Sequence, residues 1–237
     1  ILLGTFVQGL TGFGLALVSV PLLSLLLDVK VAVPLAGLFG WLVTFPLVHR
    51  MRRYVKWKVA LLMVVGSLPG SWLGANLLSF VPGRYILITM GGVLILSSVH
   101  ALRKRGKVLS SELPGVFPVG AGFLSGTLGA SVGEPGPPVI AFASVQPWTS
   151  DQVKGTLLCF FMLQMIGAIM GFWSKELLTP HVFSLFAWGL PSFLLGLLGG
   201  MKAWDLLKAY RFNYHGAVHG FLLCIGSFIL IRQLFFH

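Results

Sequence analysis

Two glycine-rich stretches occupy matching places in the two halves of the chain. Residues 9–14 read GLTGFG and are followed by Pro21, and residues 126–131 read GTLGAS and are followed by Pro138. Each stretch has glycine at its first and fourth places, and each lies in sequence too apolar for a surface loop. Glycine permits the sharp turns and close approaches that a broken helix needs. We therefore expect both stretches to be the tips of broken helices inside a membrane, facing each other.

The composition is that of an integral membrane protein. Hydrophobic residues make up 56% of the 237 residues and charged residues only 10%, whereas a soluble domain carries more charge. A membrane-spanning helix needs about 20 mostly apolar residues. Uncharged windows that predict such helices are 31–48, 59–79, 85–99, 155–174 and 182–201. The sequence predicts an all-α, multi-pass protein whose partner is the lipid bilayer.

The net charge of +11 comes from basic residues that lie between the apolar windows. Cytoplasmic loops of membrane proteins are enriched in Lys and Arg, so this pattern indicates orientation, and no nucleic acid partner is expected. The loops 49–58 and 103–107 can both be cytoplasmic. The basic stretch 202–211 is cytoplasmic as well only if residues 114–147 enter the membrane and return on the same side.

The same reasoning makes residues 1–27 a re-entrant hairpin from the outside. Each half then contains one broken hairpin and three crossings, which turns the second half upside down. We expect two inverted repeats, 1–107 and 108–237, within one transmembrane domain, an arrangement known from secondary transporters. The alternative is that 114–147 crosses once as a long, kinked helix. We also expect the natural protein to have residues before Ile1.

The expected tips suit an anion. A helix broken within the bilayer leaves unpaired backbone N–H groups and a partial positive charge at the start of its second arm. The residues expected to contact the anion are Gln8, Thr11, Gly12 and Gly14 in the first hairpin, and Ser125, Gly126, Thr127, Gly129 and Ser131 in the second. Gln164, a lone amide in a later span, is a further candidate that either lines the cavity or bonds to a neighbouring helix. The alternative is that these glycines only pack helices together.

Glu134 is the one acid within 114–147, and an intramembrane acid is a functional candidate by default. It is either a proton carrier coupled to transport or a solvated group near an interface. No metal or cofactor is expected, because His215 and His219 lack a third ligand nearby and the two cysteines match no metal or redox spacing.

These stretches resemble the TauE/SafE sulfite exporter family, also called DUF81-type permeases. The resemblance rests on residues 9–14 with Pro21, on residues 126–129 with Pro138, on the glycines at 66, 70 and 74, and on the two-half layout. It implies export of sulfite or a small organosulfonate such as sulfoacetate across the bacterial inner membrane. The second half departs from the glycine-rich family pattern at Ser131 and in 134–138, so the resemblance leaves the exact substrate open.

The sequence therefore predicts a secondary transporter, and not an enzyme, for a small inorganic or organic sulfur anion, working by alternating access. It contains no Walker A pattern that would drive transport by ATP. A homodimer is a candidate assembly. The rival interpretations are an anion channel of the same architecture and an intramembrane enzyme.

Overall fold

The computed structural model describes residues 1–11, 14–103, 109–210 and 214–235. Within these ranges the chain is helical and has no strand, which confirms the all-α prediction. The helices are α1 (Leu2–Thr11), α2 (Leu15–Leu23), α3 (Val29–Met51, continued by the 3-10 turn Arg52–Tyr54), α4 (Trp57–Phe80), α5 (Gly83–Arg103), α6 (Val116–Val132), α7 (Gly136–Ser144), α8 (Ser150–Ser174), α9 (Pro180–Tyr210) and α10 (Tyr214–Phe235).

Among the described residues, four helical segments are long and apolar enough to cross a membrane. They are Val29–Tyr54, Trp57–Phe80, Ser150–Ser174 and Pro180–Ala203. Shorter apolar helices accompany them at Gly83–Val99, Val116–Val132 and Leu222–Phe235. Large apolar side chains such as Leu96 and Trp188 are exposed on these helices, as expected where the solvent is lipid. The prediction of a multi-pass membrane protein is confirmed.

The described residues form two compact units, and each unit takes pieces from both halves of the sequence. The first unit lies within 1–39, 81–104 and 178–237, and the second lies within 40–80 and 105–177. Each predicted hairpin is therefore grouped with helices from the opposite half of the chain. The repeat boundaries 1–107 and 108–237, and the inversion of one repeat, stay predictions.

In the second unit, α4 and α6 run in the same direction at very close range. Gly66, Gly70 and Gly74 recur on successive turns of α4, and a Cβ at any of them would overlap the backbone of α6. The fit is reciprocal, because a Cβ at Gly122 or Gly126 of α6 would overlap the backbone of α4. Small residues recurring along one helix face allow a neighbouring helix to approach closely, and here that neighbour is α6.

The first unit contains a second close helix pair. Gly196 and Gly200 of α9 lie against the backbone of α1 at Leu2 and Phe6, again on successive turns. Helices α5 and α10 cross in opposite directions where Gly91 meets Gly226. Small residues thus bring α1 onto α9 in this unit, as they bring α6 onto α4 in the other.

Candidate functional site

The first hairpin is broken where the sequence predicts. Helix α1 ends at Thr11, and α2 begins at Leu15 after Gly14, whose φ of 103° lies in the left-handed region that favours glycine. The two helices fold back on each other, because Gly4 of α1 lies against Leu15 and Ser19 of α2. Helices α1 and α2 therefore form a helical hairpin.

Gln8 is the best placed of the predicted residues in this hairpin. Its side chain is buried, and Oε1 accepts a hydrogen bond from the backbone N–H of Leu15 over 3.0 Å. Gln8 thus satisfies one of the N–H groups that the first turn of α2 leaves without an intrahelical acceptor, and its amide nitrogen is still a potential donor. Gly12 and the side chain of Thr11 lie outside the described residues, as do the side chains of His215 and His219.

The second hairpin is broken later than predicted. Residues 126–131, expected at the tip, lie inside α6, which continues to Val132. The break falls at 133–135, where Gly133 is left-handed with a φ of 79° and α7 begins after Pro135. The predicted position of this tip is wrong because the small residues at 126–131 pack α6 against its neighbours. A glycine followed closely by proline is a common helix ending, so Gly133 and Pro135 were the signal to use.

The break at 133–135 lies two residues later than the alignment of the two glycine-rich stretches predicts. Matching residues 9–14 with 126–131 pairs Gly14 with Ser131. The structure gives the left-handed conformation to Gly14 and Gly133, so the conformational counterparts are two residues out of step with that alignment. Before the break the two hairpins match, because Leu2 and Phe6 of α1 contact glycines of α9 as Val119 and Phe123 of α6 contact glycines of α4.

Both ends of the second hairpin lie together. The backbone N–H of Leu109 donates to the carbonyl of Val145 over 2.9 Å, and that of Leu113 donates to Oε1 of Gln146 over 3.2 Å. A single long helix would separate these residues by its whole length, so the kinked-helix alternative is wrong. The hairpin therefore starts and ends on the same side of its unit.

The base of this hairpin lies beside the basic loop 49–58. Glu112, just before α6, pairs with Lys56 over 3.4 Å and accepts a hydrogen bond from Nε1 of Trp148 over 2.7 Å. The backbone N–H of Lys56 also donates to the hydroxyl of Thr156 near the start of α8. The hairpin therefore opens at the end of the unit that the charge pattern predicts to be cytoplasmic.

The hydroxyl groups predicted to bind in this hairpin donate to the backbone. Ser125 donates to the carbonyl of Pro135 across the hairpin. Thr127 donates to Phe123 and Ser131 donates to Thr127, both to the carbonyl four residues earlier in α6. Their oxygens can still accept hydrogen bonds, but an anion needs donors. A donated bond to an anion would require each hydroxyl to rotate away from its present acceptor.

Gly129 and Gln164 are brought together next to the break. A Cβ at Gly129 would lie 2.8 Å from Cβ of Pro135 and 3.3 Å from Nε2 of Gln164. Gly126 faces α4 instead, at Ser67 and Ser71. Of these predicted residues, Gly126 packs against α4, whereas Gly129 and Gln164 lie beside Pro135 at the break.

Gln164 has a partner that the sequence did not indicate. Its Nε2 donates to the hydroxyl of Ser71 over 3.1 Å, and both side chains are buried near the middle of α8 and α4. Ser71 lies between Gly70 and Gly74 on the close-packed part of α4, so a polar pair sits where three helices meet. Serine within a glycine-rich helix face is the signal that could have drawn attention to it.

Glu134 lies in the break itself and is fully buried. Its backbone N–H donates to Leu128 over 3.2 Å, but neither carboxyl oxygen has a hydrogen-bond partner among the described residues. The alternative of a solvated interfacial group is therefore wrong. An ionised carboxylate without donors or a counter-charge is very costly to bury, so this carboxyl needs a proton or a ligand.

No group of three or more His, Cys, Asp or Glu side chains comes together among the residues that the structure describes. The two hairpins belong to different units, and their mutual approach at the membrane midplane stays a prediction.

Comparison with known proteins finds a family model that matches most of the chain. The sequence model of the family described as sulfite exporter TauE/SafE matches residues 1–229. No curated protein and no solved structure matches the chain significantly. The family match covers both hairpins and the four described segments that are long and apolar enough to cross a membrane. The chain belongs to the TauE/SafE sulfite exporter family.

Proposed function

We propose that this chain is a secondary transporter that exports a small sulfur-containing anion, sulfite or an organosulfonate such as sulfoacetate, by alternating access. The observation that carries the proposal is the match to a family of sulfite exporters over residues 1–229. Two broken helical hairpins within that match are the second support, because broken helices form the substrate sites of many secondary transporters. The bacterial inner membrane is the proposed location.

The proposed binding groups are the helix ends at the two breaks. In the first hairpin they are the first turn of α2 with Gln8 and Gly14, and Thr11 and Gly12 complete the predicted set. In the second they are the first turn of α7 together with Gly129, Gln164 and the hydroxyls of Ser125, Thr127 and Ser131. No Lys or Arg lies in 1–27 or 114–147, so the anion would be held by dipoles and neutral donors, which favours release.

Glu134 is the proposed proton carrier. Its carboxyl is buried without a partner beside the break. A carboxylate there would repel an anion, whereas a protonated carboxyl can donate a hydrogen bond to it. Binding of the anion and of a proton would then favour each other. We expect Glu134→Gln to bind the anion without taking up a proton and to lose the dependence of transport on a pH gradient. Unchanged coupling in this variant would make Glu134 a structural residue.

The first test is thermal stabilisation of the purified protein by sulfite, with sulfate, sulfoacetate, thiosulfate and chloride alongside, because a ligand that binds only the folded state raises its stability. Ser131→Ala and Thr11→Ala should weaken the effect. Ser97→Ala is the matched control, because Ser97, like Ser131, donates only to a backbone carbonyl of its own helix. Equal effects of all three substitutions would remove the hairpins from the site.

Flux into liposomes then separates a transporter from a channel of the same architecture. Transport that saturates with sulfite and responds to a pH gradient supports the proposal. Flux that rises in proportion to concentration and ignores the pH gradient would favour the channel. Absence of stabilisation by every anion would count against the substrate class and leave the membrane fold unaffected.

A further inference from the structure

A cavity lies in the first unit where the end of α2, the start of α5 and the end of α10 meet. Its apolar walls are Pro21, Leu25, Leu87 and Ile229. It is partly open and holds about one water molecule. Next to it, Leu26 is 86% exposed, so the opening lies on an apolar surface of the kind that faces lipid.

Three polar side chains point to the chemistry of the occupant. Ser24, Arg232 and Gln233 line the same cavity. The hydroxyl oxygen of Ser24 is buried and has no hydrogen-bond partner among the described residues. Gln233 is only 7% exposed, and its amide makes no hydrogen bond within the described part of the chain. Arg232 is exposed and forms no ion pair with any residue that the structure describes. Buried polar groups are normally satisfied, so the Ser24 hydroxyl lacks a partner, and Arg232 and Gln233 lie beside it.

The missing partner should be an acceptor with negative charge. A guanidinium group, an amide N–H and a hydroxyl are all donors, and Arg is well suited to phosphate oxygens. No carboxylate is among the described residues that line the cavity. The space admits a single oxygen atom of a larger group, and the rest of that group must lie outside, along the apolar surface at Leu25 and Leu26.

We propose that this corner binds the phosphate of a phospholipid, with one phosphate oxygen in the cavity and an acyl chain along the neighbouring leucines. Arg232 supplies the counter-charge, and Ser24 and Gln233 supply hydrogen bonds. A lipid with net negative charge binds better than a zwitterionic one, because Arg232 is left without an internal partner. The site lies near the start of α5, at the opposite end of this helix from the basic loop 103–107. Because the predicted topology places that loop in the cytoplasm, it places the site in the outer leaflet.

The test measures the lipids that remain bound to the purified full chain. The protein is reconstituted with equal amounts of dioleoylphosphatidylglycerol and dioleoylphosphatidylcholine, extracted in mild detergent, and examined by native mass spectrometry. We expect preferential retention of phosphatidylglycerol, reduced about fivefold in Arg232→Gln, since one basic group near a membrane contributes on the order of that factor. Arg84→Gln is the matched control, because Arg84 is exposed near the start of α5 but does not line the cavity.

Two further measurements complete the test. A second variant with a size-exclusion check excludes misfolding as the cause of lipid loss, and inorganic phosphate distinguishes a lipid phosphate from free phosphate. Gln233→Met should lower retention in the same direction, with an unchanged size-exclusion profile. Equal retention of the two lipids, or equal loss in Arg232→Gln and Arg84→Gln, would overturn the proposal. Stabilisation of the lipid-free protein by inorganic phosphate that Arg232→Gln abolishes, without preference for phosphatidylglycerol, would replace the lipid by free phosphate and would also overturn it.

Discussion

Gly122→Ala and Gly120→Ala form a matched pair of substitutions on α6. Gly120 is exposed, and nothing lies within 4 Å of a Cβ at that position. A Cβ at Gly122 would overlap the carbonyl oxygen of Met63 and lie 2.7 Å from its carbonyl carbon. Carbon atoms in contact prefer a separation of about 3.5–4.0 Å. Because the obstacle is backbone, α6 would have to move about 1 Å away from α4.

The expected loss of stability follows from two terms. Extra volume in a well-packed contact costs about 1–3 kcal/mol, whereas alanine is favoured over glycine in a helix by up to about 1 kcal/mol. Gly120 offers only the second term. The second term is common to both variants, so their free energies of unfolding should differ by the first term, about 1–3 kcal/mol. In a chain of this length that corresponds to a Tm of Gly122→Ala about 2–12 °C below that of Gly120→Ala.

The assay is thermal unfolding in detergent, followed by intrinsic tryptophan fluorescence, on preparations that are monodisperse by size exclusion. Gly120→Ala should unfold at or slightly above the temperature of the unmodified protein. Equal Tm values for the two variants would refute the reasoning. It would mean that α6 and α4 are not in backbone contact at this turn, and that the small residues of 122–131 are available for another role.

Two further substitutions test polar contacts in the same unit. Ser71→Ala leaves the amide of Gln164 buried without its acceptor, so it should destabilise the protein by about 1–3 kcal/mol; a Tm no lower than that of Ser97→Ala would argue against the pair. Glu112→Gln removes the ion pair with Lys56, and because both side chains are more than a third exposed, the loss should be below about 1 kcal/mol. That loss should disappear at high salt, and a salt-independent loss would show that charge is not its cause.

The break in the first hairpin could be predicted from the local sequence. Gly14 adopts the left-handed conformation that other residues rarely adopt, so the glycine itself marks the break. The second break also has a local signal, because Gly133 is followed closely by Pro135. The structure was needed to show that Gly126 and Gly129 lie inside α6 and make packing contacts there.

The pairing of helices and of polar side chains also required the structure. Gln164 and Ser71 are far apart in the chain, and neither residue indicates the other. The glycines of α4 predict that some helix approaches closely. That this helix is α6 depends on the contacts between the glycines of each helix and the backbone of the other. Likewise Glu134 is visible as an intramembrane acid, whereas its complete burial without a partner depends on everything packed around the break.

The sequence by itself determined the membrane class, the all-α fold, the family and the presence of broken helices. Hydropathy, charge and glycine content are properties of a short segment. Because backbone polar groups inside a bilayer must be hydrogen-bonded within the protein, few secondary structures are possible for an apolar segment of this length. The tertiary structure decided where the second hairpin turns, which helix α6 packs against and which polar groups remain without partners. Those outcomes depend on contacts between distant segments, whose energies arise only when the helices are packed together.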